Sequence, residues 1–199
     1  MTRLILWRHG QSAWNVNDRV QGQTDVELSD LGREQAAAAA TRLAALKPDV
    51  LVSSDLKRAA DTAAALAKVT GLPVQYDERL RERFFGDWQG MTLTEVAERW
   101  PDQYTRWRKG EGLAEANIED LDMLAKRVAA ALQEAVADAG PGSTIVAATH
   151  GGAARHGVAA LLGWPGRVAR TLGGLDNCHW SELRFDQVRG WQLRAHNAI

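Results

Sequence analysis

Thr2-Arg3-Leu4-Ile5-Leu6-Trp7-Arg8-His9-Gly10 starts as an apolar run and ends on a guanidinium, an imidazole and a glycine. Residues 3–7 read as a buried strand, and Arg8 to Glu27 reads as the polar loop that follows it. The same order returns at Thr144-Ile145-Val146-Ala147-Ala148-Thr149, an apolar stretch of strand length that runs into His150-Gly151-Gly152. A helix is expected from about Gly152 to Leu162 behind it. Val50-Leu51-Val52-Ser53 is another such strand, followed by a helix over about 56–69 with Ser54 or Asp55 as cap and Gly71 as stop. Strand and helix alternate through most of the chain, which predicts an α/β domain with a mainly parallel sheet.

The remaining segments fit around this frame. Ser29 can cap a helix running to about Leu46, where Pro48 blocks continuation. Residues 74–76 form a short strand, 80–90 read as loop, and 92–109 as short helices interrupted by Pro101. Over 118–138, Ile118, Leu121, Leu124, Ala125, Val128, Leu132 and Val136 fall on one helical stripe. The C-terminal part reads as a hairpin of 178–185 with 191–196.

Three strand ends carry the chemistry. Arg8-His9-Gly10 follows the first strand, Arg58 lies in the first turn after 50–53, and His150-Gly151-Gly152 follows 144–149. Ligands of open α/β sheets bind beyond the carboxyl ends of the strands, so these groups should converge on one rim. Guanidinium forks match phosphate oxygens in bidentate geometry, and helix N-termini add N–H donors. A phosphate dianion is the natural occupant. A histidine crowded by arginines loses affinity for a proton, and a neutral imidazole is a nucleophile.

Composition narrows the setting. The chain of 199 residues is 45% hydrophobic and 25% charged, the balance of an ordinary globular domain. A net charge of −1 gives no bulk attraction to nucleic acid or to an anionic membrane, so neither is expected as a partner. The single cysteine, Cys178, excludes an internal disulfide and any cysteine-rich metal site. The apolar N-terminal run is too short for a signal peptide, and no window approaches a membrane span. A cytoplasmic enzyme of one domain over 1–199 is the expectation.

Beyond these features, five ordered blocks resemble one family. Arg8-His9-Gly10-Gln11-Ser12-Ala13-Trp14-Asn15 is similar to the signature of the histidine phosphatase superfamily, the phosphoglycerate mutase-like proteins. The segments 25–36, 53–59 and 80–90 and Thr149-His150-Gly151-Gly152 resemble the family's later blocks in the right order. The resemblance implies a three-layer α/β/α sandwich of the phosphoglycerate mutase-like type. It implies that His9 becomes phosphohistidine, that Arg8, Asn15, Arg58 and His150 hold the transferring phosphoryl group, and that Gly151 adds its N–H. Glu82 is implied as proton donor to the leaving oxygen, with Glu78 and Asp87 as nearby competitors, and Gln21, Gly22 and Gln23 as substrate-binding.

The implied activity is hydrolysis of small phosphorylated metabolites without metal or cofactor, by a phosphatase that forms a homodimer. Narrower readings are a glucosyl-3-phosphoglycerate phosphatase, suggested by 21–23, 86–90 and 172–180, and a cofactor-dependent phosphoglycerate mutase. Family mutases are usually longer, with a tail over the site, which favours hydrolysis here. Many of the phosphatases carry Gly-Gly-Glu-Ser before the long helix, where this chain has Glu115-Ala116-Asn117-Ile118-Glu119. An insertion at about 92–118 carries Trp100, Tyr104 and Trp107 with Arg99, Arg106, Arg108 and Lys109. It reads as a solvated helical face with aromatic anchors, or as a lid whose cations grip a second anionic group. His156 is expected to be packed or solvated, His179 to lie near the site rim and His196 on the surface.

Overall fold

A computed structural model describes residues 1–199. Six strands form one sheet: β1 (Thr2–Arg8), β2 (Val50–Ser53), β3 (Val74–Tyr76), β4 (Thr144–Thr149), β5 (Trp180–Asp186) and β6 (Gly190–Ala198), in the order β3-β2-β4-β1-β5-β6. The first four run parallel, while β5 lies antiparallel to β1 and to β6.

Eight helices surround the sheet. They are α1 (Ala13–Val16), α2 (Asp30–Ala44), α3 (Lys57–Thr70), α4 (Leu93–Arg99), α5 (Pro101–Arg108), α6 (Leu121–Ala139), α7 (Gly151–Leu161) and α8 (Gly166–Ala169). The continuous apolar runs of β1 and β4 follow from burial on both faces. Leu4, Leu6, Ile145 and Ala147 point into one core with Leu124, Val128 and Leu132 of α6 and Ala153 and Val158 of α7. Their neighbours Ile5, Trp7, Val146 and Ala148 point into the other, against Ala36 and Leu43 of α2 and Leu66 of α3. This alternation makes the chain a three-layer α/β/α sandwich.

Several boundaries differ from the sequence reading for local reasons. Arg8 to Glu27 is not all loop: Ser12 caps α1 in a reciprocal capping box with Asn15. Neither Ser54 nor Asp55 caps α3; Leu56 is its N-cap, with no side-chain cap bond, because Ser54 and Asp55 are committed to other partners. The long helix begins at Leu121 with Asp120 as cap, so Ile118 lies before it. Ile118 packs instead with Trp88, Val96, Leu113 and Ala116 in a third, small core under the insertion.

The loop after β1 lies directly on the first turn of α2. A Cβ on Gly10 would overlap the carbonyl oxygen of Gly32, and a Cβ on Gly32 would overlap that of Gln11. Two backbones approach so closely that only glycine fits at either point. Gly32→Ala should therefore destabilise the protein by about 3 kcal/mol, the upper end for overpacking, measured as a lowered urea midpoint. An unchanged midpoint would show that the loop can move away freely.

Candidate active site

Because β1, β2 and β4 are parallel neighbours, their carboxyl ends deliver Arg8-His9, Ser53-Ser54 and His150 to one rim. Arg58 reaches the same place from the first turn of α3. Arg8, His9, Asn15, Gln21, Gly22, Arg58, Glu82, Gly151 and Gly152 line a cleft of about 650 Å³ there. His150 is fully buried behind His9, with the two rings edge to face and 5.1 Å between centroids. Gln23 stands apart from the other predicted residues: it lies outside the cleft lining and donates its Nε2 to the carbonyl of Glu82 at 3.1 Å.

His9 is held in one tautomer. Its Nδ1 donates to the carbonyl of Gly10 at 2.7 Å, which leaves the Nε2 lone pair free. Its loop is fixed from three sides: Gly10 N–H donates to Thr62 Oγ1, Asn177 Nδ2 donates to the His9 carbonyl, and His9 N–H donates to the Thr149 carbonyl. Burial, and then Arg58 and Arg8, holds the His9 imidazole well below the usual histidine range. His150 is held low by burial, then Arg58, His9 and Arg8.

The arginines are tethered at one end and free at the other. Arg58 donates Nη1 to the Thr24 carbonyl at 2.8 Å and Nη2 to the Gly22 carbonyl at 2.7 Å. Arg8 donates Nη1 to the Leu175 carbonyl. The Nε atoms of both are buried without a protein acceptor, and so is His150 Nδ1. Ser54 Oγ accepts from Leu56 N–H and lies 2.9 Å from His150 Nε2, so we assign its proton to that bond and the ring proton of His150 to Nδ1. Three buried donors thus stand around His9 with nothing of the protein to receive them. Asn15 Oδ1 is used by Ser12, which leaves its Nδ2 amide as a fourth donor. Burial lowers the Arg58 guanidinium to about 10, so it stays charged at neutral pH.

Glu82 occupies the N-terminus of α7. Gly152 N–H donates to Oε2 at 2.8 Å; Ala153 N–H, at 2.9 Å, and Arg83 N–H, at 2.8 Å, donate to Oε1. A carboxylate offers about four lone-pair positions, so one on Oε2 remains for a proton. Gly152 makes this seat possible, since a Cβ there would stand 2.5 Å from Oε1. In the first turn of α7 only the Gly151 N–H keeps no protein acceptor. Glu78 and Asp87, the other acids weighed for this place, lie outside the cleft lining.

The support for Glu82 comes from residues that no motif marks. Arg127 on α6 donates to the carbonyls of Arg79, Arg81 and Glu82, and its guanidinium is paired with Glu119. Glu119 Oε2 also receives Phe84 N–H at 3.1 Å. Of the insertion's cations, Arg106 is already engaged by Glu111 and Glu115, and Arg99 stacks on Trp100. Trp107 packs edge-on against Trp88 and also lines the cleft. His179 lies outside the cleft lining, with Nδ1 3.1 Å from the Asn177 carbonyl. His156, the residue after Arg155 in α7, is buried rather than solvated.

A pocket of anion donors around a neutral imidazole defines a phosphoryl-handling enzyme, and comparison with known proteins agrees. Residues 4–199 match the model of the histidine phosphatase superfamily (branch 1), and the chain belongs to that superfamily. It is 44% identical to a glucosyl-3-phosphoglycerate phosphatase of Mycolicibacterium vanbaalenii over 98% of this chain and 94% of that one. A mycobacterial glucosyl-3-phosphoglycerate phosphatase complexed with VO3 superposes with a TM-score of 0.92 at 40% identity, covering 99% of both chains. A metal-independent phosphoserine phosphatase of Arabidopsis thaliana is 37% identical over 78% of this chain and 66% of that one. The protein is a phosphatase of the same type.

The buried imidazoles make stability depend on pH. In the unfolded chain each titrates near its ordinary value of about 6.5, whereas the fold keeps both neutral well below it. Below about pH 6.5 the unfolded chain binds more protons, so stability is lost as the pH is lowered; above it this contribution is constant. The slope should approach roughly 1.4 kcal/mol per pH unit for each histidine. Urea unfolding between pH 7.5 and 5.5 checks this, and His150→Gln should remove that histidine's share of the slope. A flat profile would contradict it.

Proposed function

We propose that the protein hydrolyses small phosphate monoesters through a phosphohistidine at His9. The observation that carries this reading is the set of three buried, unpartnered donors, Arg8 Nε, Arg58 Nε and His150 Nδ1, around a histidine whose Nε2 is free. A bound phosphoryl group supplies the acceptors they lack. Phosphoryl transfer needs positioning and charge neutralisation more than covalent help; the two guanidiniums supply the charge, and with the His150 N–H and the Asn15 amide they supply the positioning.

The His9 Nε2 lone pair attacks phosphorus in line, and the bond to the ester oxygen breaks. The departing oxygen takes the proton from Glu82 Oε2 and leaves as the alcohol. Glu82, now a carboxylate, draws a proton from a water whose oxygen attacks phosphorus. The phosphorus–nitrogen bond breaks, and His9 returns neutral with Glu82 protonated. General acid–base help of this kind is worth roughly 10² to 10⁴ in rate.

Trp14, Phe85 and Trp107 give the same cleft an aromatic wall for the alcohol part of the ester. Together with the relatives' identity, this makes glucosyl-3-phosphoglycerate the first physiological substrate to test, within a broad range of small phosphorylated metabolites. Thr92, Leu93, Thr94 and Trp107 border the cleft, so the 92–118 segment serves as its lid. No helix is long and apolar enough to cross a membrane. A cytoplasmic location and a homodimer complete the reading, the latter checked by light scattering.

Mixing with a ³²P-labelled ester and quenching in base should trap an acid-labile adduct on His9, undiminished in excess EDTA. His9→Ala should leave no adduct and lower kcat by at least about 10³-fold; normal turnover by that variant would overturn the route. Glu82→Gln, assayed over a panel of phosphate esters, should slow alkyl esters about 10²- to 10⁴-fold and p-nitrophenyl phosphate far less. Equal losses on both would remove Glu82 from proton transfer.

A further inference from the structure

A second cleft of about 410 Å³ adjoins the first, and the two share Glu82, Phe85, Trp107, Gly152 and Arg155 as common lining. It is lined by four guanidiniums, of Arg83, Arg108, Arg155 and Arg170, and Glu82 is the only acidic residue in its wall. Arg83 is 95% buried, with a relative exposure of 5%, yet its Nη2 has no hydrogen-bond partner. Its one side-chain bond is from Nε to the Glu119 carbonyl at 2.7 Å, while the Glu119 carboxylate is taken by Arg127. Arg155 Nε is likewise buried without a partner. Arg155 follows Gly151 by one turn of α7, so it lies on the same helical face as the amide that borders His9.

Buried guanidinium N–H groups without acceptors are costly unless a ligand supplies them. We propose that this second cleft is a subsite for a carboxylate on the alcohol part of the substrate, gripped by Arg155 and Arg83. Glu82, the group assigned to protonate the departing oxygen, stands on the boundary of the two clefts. An ester whose phosphoryl group sits at His9 therefore directs its alcohol part past Glu82 and into the second cleft. A planar carboxylate suits the paired N–H geometry of a guanidinium. Arg108 and Arg170 set the sign of the field at the mouth. The subsite selects phosphate esters of hydroxy acids over esters of neutral alcohols. The inference rests on the phosphatase reading for the orientation of the ester.

The test compares 3-phosphoglycerate with glycerol 3-phosphate, which replaces the carboxylate by a hydroxymethyl group. Wild-type kcat/KM should favour 3-phosphoglycerate at least about tenfold. Arg155→Gln should lower that value about 10- to 100-fold, the worth of a hydrogen bond between charged groups, and lower the value for glycerol 3-phosphate by a clearly smaller factor, so that the ratio between the two esters collapses. Arg83→Gln should act in the same sense, so the subsite stays testable if one variant folds poorly. Parallel losses on both esters, or an unchanged ratio, would overturn the subsite. Calorimetric binding of both esters to His9→Ala, with and without Arg155→Gln, gives the same comparison without turnover. Selective binding without hydrolysis by the wild type would keep the subsite and sink the phosphatase route alone.

Discussion

Two guanidiniums and two imidazoles buried together at one sheet edge form the arrangement on which the rest of this structure depends. Like charges in a poorly solvated place repel, and the protein resolves the conflict unequally. Arg8 and Arg58 keep their charge because a guanidinium starts from a very high pKa and the Glu82 carboxylate lies near both, while backbone carbonyls of Leu175, Thr24 and Gly22 tether them. His9 and His150 give way instead and stay neutral. The result is a preformed electrostatic hole for a dianion beside an imidazole that is already in its nucleophilic form. A backbone carbonyl is the right tether for such an arginine, since a carboxylate partner would cancel the charge the substrate needs.

The acid is managed in the opposite way. Glu82 sits where the partial positive charge of α7 is greatest, on two of its first-turn amides. Its loop is clamped from behind by Arg127, which spans three carbonyls while paired with Glu119. The segment preceding α6 supplies this Glu119, whose carboxylate also receives Phe84 N–H. Gly152 omits a side chain so that the Glu82 carboxylate can meet the backbone, and Gly10 so that two backbones can meet.

Much was legible without coordinates. The apolar runs before Arg8, Arg58 and His150 announced buried parallel strands, and the rule that ligands gather at their carboxyl ends placed three distant segments together. Gly71 as a left-handed helix stop and the hairpin over 180–198 were equally readable, because their signals are local. The helix starts were harder to place. Ser54 is a good cap by composition, yet tertiary structure turned its hydroxyl to His150. Asp55 was drawn to Arg81. Asn15 was legible as a candidate for the site, though not as half of a capping box whose geometry leaves only its amide free. Gln23 was grouped with Gln21 by resemblance, while its side chain turns to the Glu82 carbonyl.

The sequence alone determined the kind of chemistry: a histidine among arginines, on strand ends, with an acid in a later loop. Residue type and order suffice for that, because charge, nucleophilicity and strand periodicity are carried by each residue and its close neighbours. Only tertiary structure decided which donors remain unsatisfied, and that Arg127, Glu119 and Arg155 belong to the site at all. Those properties depend on what every other group in the fold has already claimed, and hydrogen-bond partners 36 to 168 residues apart in the chain leave no local mark on it.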